Sequence, residues 1–186
     1  MNLMEARREL QAHGYTLIKE GLFGYDADEA KDKVEQVLDL CKTNTEHFVS
    51  SSEGEPINPL YVFANSLKRL LKDIEKGDDV NYHIKYFLKD KDTQYVSLYC
   101  KDNSYVDTVR QAWNDDKIDD DKFAQEKGKT QFIKTNRFRK EVGGELEKLG
   151  ITPLYDKSKK EEIKSDLKDE YDFKIIIPLD VSKLFK

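Results

Sequence analysis

Three residues toward the end of the chain have the types and order that metal-assisted hydrolysis requires. Asp156 supplies one carboxylate, and Asp172 supplies a second, two positions before Lys174, where the apolar run FKIIIPL begins. Two such carboxylates can hold Mg²⁺ while a lysine orients the attacking water. A second set of oxygen ligands is offered by NDDKIDDD, residues 114–121, in which Asp115, Asp116, Asp119, Asp120 and Asp121 stand against one lysine. This spacing lacks the glycine at loop position six and the closing glutamate of an EF-hand. The run therefore reads as a solvated acidic turn, and no metal or other cofactor is expected.

The order Asp156, Asp172-x-Lys174 resembles the acid, acid-x-Lys pattern of restriction-type nucleases, and that resemblance implies Mg²⁺-dependent cleavage of nucleic acid. With 37 Asp and Glu and 32 Lys and Arg in the chain, the same triplet also arises from composition alone. The histidines, His13, His47 and His83, lie in separate segments without the i, i+4 pairing of a metalloprotease helix. Neither a G-x-S-x-G elbow nor the glycine-rich phosphate loops G-x-x-x-x-G-K-[ST] and G-x-G-x-x-G occur. The balance is toward a protein that acts without catalysis.

Residues 127–140 hold six cations and no carboxylate, in a chain whose formal charge is −5. Lys129, Lys134, Arg137, Arg139 and Lys140, with Phe138 among them, form a candidate surface for phosphates or an acidic partner. One reading is a nucleic-acid-binding regulator or replication accessory that uses the helix following Asn136 for recognition. The net charge and a pI near 5.4 oppose indiscriminate binding to a polyanion. In being short, acidic, poor in motifs and α+β, the chain resembles the host-directed inhibitors of phages and mobile elements, such as anti-CRISPR and antirestriction proteins. That resemblance implies a non-enzymatic interaction protein whose partner is a host protein or ribonucleoprotein.

Charged residues make up 37% of the chain, against about a quarter in ordinary globular proteins. Aromatic residues reach 11%, which argues for a packed core, because disordered chains are poor in them. Nothing approaches the roughly eighteen consecutive apolar residues of a bilayer span. The start, MNLMEARREL, reads as a helix and not as an apolar signal region, so a cytoplasmic location and no membrane contact are expected. Cys41 and Cys100 lack Cys-x-x-Cys spacing and are expected as buried free thiols.

The elements that must position these residues predict an α+β fold. In residues 1–102, N-terminal helices pack with an antiparallel β-hairpin. In residues 103–186, a helical part ends in a buried strand, and the two regions form either two units or one continuous domain. Helices are expected over 2–13, after Asp26 or Asp28, and from Pro59 to Gly77, the last capped by Asn58 and carrying Leu60, Phe63, Ala64, Leu67, Leu70, Leu71 and Ile74. Alternation of Tyr82, Ile84, Tyr86 and Leu88, followed by Tyr95 to Cys100, predicts the hairpin. Further on come a helix over 104–113, a short strand over 131–135 and a helix over 137–149. In that last helix, Gly143 and Gly144 imply close packing or a kink. Residues 158–171 read as a surface helix, Phe173 to Leu179 as a strand buried on both faces and ended by Pro178, and DVSKLF as a short closing helix.

Overall fold

Asp26 opens the first described helix by accepting a hydrogen bond from the Glu29 backbone N–H at 3.0 Å, which satisfies a donor that a helix start leaves free. In the computed structural model, which describes residues 24–43, 57–77, 79–100, 111–117, 119, 122, 134–164 and 166–186, helix α1 spans Ala27–Thr43. The apolar stripe of α1, Ala30, Val34, Val37, Leu38 and Cys41, is buried as its spacing predicts. Asn58 ties this helix to the next. Its Nδ2 donates to the Cys41 carbonyl at 3.0 Å and its Oδ1 accepts from the Leu60 N–H at 2.9 Å. Helix α2, Tyr61–Lys76, buries Phe63, Leu67, Leu70 and Ile74 and stops at Gly77, whose φ of +75° favours glycine. Each large apolar side chain buried in these stripes contributes about 1.5–3 kcal/mol.

The first strand of the expected hairpin is instead a helix. Val80–Lys89 forms α3, capped by Asp79, whose side chain accepts from the Tyr82 N–H at 3.1 Å. The alternating pattern treats Tyr82 and Tyr86 as buried partners of Ile84. In the structure only Ile84 and Phe87 are fully turned inward, with Val80 and Leu88 packed beside them, and these positions recur at three and four residues. Packing against α2 and a good cap outweigh the β preference of the tyrosines.

The second expected strand is present as β1, Tyr95–Cys100, but its partner lies far along the sequence. Strand β4, Phe173–Asp180, pairs with β1 antiparallel, placing Val96 opposite Ile177 and Leu98 opposite Ile175. On the other side of β4 lie β2, Thr152–Pro153, and β3, Lys159–Glu162, also antiparallel. A central strand needs apolar residues in succession, which accounts for the buried run Ile175, Ile176 and Ile177. Pro178 does not end the ladder. The Leu179 N–H donates to the Gln94 carbonyl, and the Pro178 carbonyl accepts from the Leu154 N–H at 2.8 Å. The missing Pro178 donor thus falls on the side where β3 has finished and β2 has only begun, so the strand continues at little cost.

The C-terminal region departs from expectation at three further places. Lys134 and Thr135, the described part of the strand expected over 131–135, are helical and belong to α4, described over residues 134–148, while residues 131–133 lie outside the described residues. Residues 158–171 form β3 and a 3₁₀ turn, Asp166–Asp169, because Lys160 and Glu162 can pair with β4 while Ile163 and Tyr171 are the buried anchors. The closing DVSKLF segment is a turn, fixed by the Leu184 N–H donating to the Val181 carbonyl at 3.0 Å, and it buries Leu184 and Phe185. One apolar core takes side chains from both regions, from Ala30 on α1 to Phe185 at the last turn. The expected helix over 2–13 and the start of the one over 104–113 lie outside the described residues, as does Lys129.

Candidate binding surface

The basic segment lies along α4, and its side chains separate into two groups. Phe138 is fully buried with Val142 and Leu146, so it is a core anchor and not an exposed contact, a correction that follows from its place on the apolar stripe of α4. Lys134 is only 8% exposed, and the Arg137 Nε lies 3.1 Å from Glu141 Oε1. What faces outward is Arg139 and Lys140. The guanidinium of Arg139 lies 4.3 Å from the centroid of the Tyr155 ring, a cation–π contact that fixes its direction.

The backbone around them is adapted to hold Tyr155. Residues Arg139–Gly143 form a π turn, which widens the helix by one residue. Gly143 within it is buried, and the Tyr155 hydroxyl occupies the place where a Cβ would stand. Burial pushes the Tyr155 hydroxyl above the ordinary tyrosine range, with the Arg139 charge opposing. The glycine that interrupts the sequence pattern of the helix is therefore a packing residue.

The three residues with the nuclease-like order are not assembled by the fold. Asp156 sits in a 3₁₀ turn, Tyr155–Lys157, beside the Pro178 end of β4, since Leu154 bonds Pro178. Asp172 precedes β4, where its N–H donates to the Cys100 carbonyl at 3.0 Å. Six strand residues at about 3.3 Å each separate those ends by about 20 Å, whereas oxygen ligands stand about 2 Å from Mg²⁺. The carboxylate that does meet Lys174 is Glu161 of β3, at 3.7 Å, and Lys159 lies 3.2 Å from the same side chain. Lys159 first, and then Lys174, hold the Glu161 carboxyl below its usual range. Among the described residues, no three His, Cys, Asp or Glu side chains are grouped to hold a metal ion.

The most distinctive surface is one that sequence reasoning assigned to a strand. Tyr82, Lys85, Tyr86 and Lys89 recur at i, i+3, i+4 and i+7 on α3, so they share one face, opposite the buried Ile84 and Phe87. Tyr82 is 59% exposed and Tyr86 63%, which is unusual for rings of this size. Their rings lie 6.3 Å apart with an interplanar angle of 24°. Helix α3 carries no carboxylate, and Lys85, Lys89 and the nearby Arg69 have no ion-pair partner among the described residues. The signal available in the sequence was this seven-residue period, outward-facing and made of tyrosine and lysine.

Beside the stripe, α2 and α3 frame an open cleft of about 170 Å³, lined by Arg69, Asp73, His83 and Tyr86 among others. The His83 Nδ1 lies 3.6 Å from Asp73 Oδ2. Ser66 lines the same cleft, and its hydroxyl lies 3.1 Å from Thr93 Oγ1, whose one proton goes to the Asp90 carboxylate at 2.9 Å. No helix among the described residues is long and apolar enough to cross a membrane. No protein-family model, curated protein or solved structure matches this chain.

Proposed function

We propose that this chain is a non-enzymatic interaction protein that acts by occupying a surface of a larger nucleic-acid-processing assembly, in the manner of anti-CRISPR and antirestriction inhibitors, with the outer stripe of α3 as its docking surface. The observation that supports this reading is the exposed pair Tyr82 and Tyr86 on a helix that carries Lys85 and Lys89 and no carboxylate, in a chain with a net charge of −5. Tyrosine suits an interface because it buries a large rigid ring and keeps a polar tip. Unpaired lysines beside it steer an anionic partner and disfavour a cationic one. A host ribonucleoprotein presents both the anionic charge and the aromatic bases that such a face complements, and a cytoplasmic site of action is part of this proposal.

Lysine-directed cross-linking of the whole protein in a bacterial lysate tests the reading. Lys85 and Lys89 are expected to join one recurrent partner that belongs to a nucleic-acid-processing assembly. Links that avoid both lysines while using others, such as Lys140 or Lys183, would remove α3 from the account.

A further inference from the structure

We infer that the α3 stripe, with Arg69 across the cleft, is a binding platform for single-stranded nucleic acid. This rests on the reading of α3 as the docking surface and names the chemistry of what docks there. Residues 61–89 hold six Lys and Arg against four Asp and Glu, the reverse of the balance of the whole chain. Among the described residues, Asp73, Asp79 and Asp90 beside the stripe are engaged elsewhere. Asp79 caps α3 through the Tyr82 N–H, and Asp90 accepts from Thr93 Oγ1 at 2.9 Å and from the Asp92 N–H at 3.0 Å. Asp73 lies 3.6 Å from both the Lys76 Nζ and the His83 Nδ1. Lys85, Lys89 and Arg69 are thus left to meet an external anion.

The aromatic pair decides which anion. An acidic protein surface or a DNA duplex needs only the cations, because a duplex keeps its bases stacked on one another. A single strand offers unstacked bases, and two near-parallel rings 6.3 Å apart on one helix face give successive bases a π surface on which to stack. Arg69 and Tyr86 line the same cleft, so a phosphate next to a base on Tyr86 comes within reach of a guanidinium. Recognition of this kind is tolerant of sequence, because every base has a π face.

Fluorescence anisotropy of the full chain with labelled oligothymidylate and oligouridylate measures the binding, with a DNA duplex and poly-glutamate as competitors. The two single strands separate a DNA platform from an RNA platform. Binding to at least one of them is expected, with neither competitor matching an unlabelled single strand. Three cations in contact predict a slope of about −2 in log K against log salt, and Lys85→Gln with Lys89→Gln should make it shallower by about 1.4. Tyr82→Ala and Tyr86→Ala should each weaken binding by about tenfold, while Tyr82→Phe with Tyr86→Phe restores it. All four side chains point outward, so circular dichroism should report an unchanged fold. Absence of single-strand binding overturns the inference, as does binding that is indifferent to both tyrosines or matched by poly-glutamate. If single strands fail while Lys85 and Lys89 still cross-link to one protein, the docking surface stands and only its ligand chemistry is wrong.

Discussion

The hydroxyl of Tyr155 fills the space in which a side chain on Gly143 would begin. This places the loop after β2 against the π turn of α4, and Arg139 closes over the same ring. Gly144, one residue further, has nothing within 4 Å of a Cβ and helical φ and ψ of −64° and −34°. Adjacent glycines should therefore respond with opposite signs. Gly143→Ala is expected to cost about 1–3 kcal/mol through overpacking, and Gly144→Ala to stabilise by about 0.5–1 kcal/mol through helix propensity. Urea unfolding of the two variants checks the pair.

The division of the basic segment into core and surface carries a second expectation. Phe138→Ala removes a fully buried ring and should cost about 3–5 kcal/mol. Arg139→Glu with Lys140→Glu removes only outward charge and one cation–π contact, so stability should change by less than about 1.5 kcal/mol. Similar losses in both variants would contradict the assignment of Phe138 to the core.

The cap of α3 carries a third. Asp79 holds the first turn through the Tyr82 N–H at 3.1 Å. Asp79→Ala should lower stability by about 1 kcal/mol. Because the cap orients the turn that presents Tyr82, partner binding should weaken with it, whereas Asp79→Asn, which keeps the acceptor, should preserve both.

Cys41 supplies a prediction in pH. Burial pushes its thiol up from 9.0 to about 12. Below pH 9 both the folded and the unfolded chain keep this proton, so folding is insensitive to pH on its account. Between pH 9 and 12 the unfolded chain loses the proton and the folded chain does not, so stability falls as pH rises. Burial also raises the Tyr99 and Tyr155 hydroxyls, which adds to the fall above pH 10. The urea midpoint should drop between pH 9 and 11, with a smaller drop in Cys41→Ala. At pH 8 both buried cysteines should resist thiol reagents until the chain unfolds.

Much of the fold was legible wherever a local rule decided it. The stripe of α1, the Gly77 stop and the run Ile175 to Ile177 all followed from spacing and turn chemistry, and the α+β class followed with them, whereas α2 starts at Tyr61 behind Leu60 and not at Pro59 behind an Asn58 cap. The alternation over 82–88 misled because Tyr is apolar in a pattern and amphipathic in space, so period two and the seven-residue stripe fit the same residues. Only the contact of Ile84 and Phe87 with the core decides between them, and contact is not local. The pairing of β1 with β4 crosses more than seventy residues, and no spacing rule reaches so far. The candidate site moved for the same reason. Phe138 belongs to a stripe that the core claims, while the tyrosines set aside as buried are the ones left at the surface.

Affinity capture with three baits, the natural chain, Tyr82→Ser with Tyr86→Ser, and Arg139→Glu with Lys140→Glu, tests the central claim most directly. All three must first show the same fold by circular dichroism. The account predicts that a partner held stoichiometrically by the natural chain is lost from the tyrosine variant and kept by the charge-reversed one. Retention by the tyrosine variant at the natural level would contradict the account.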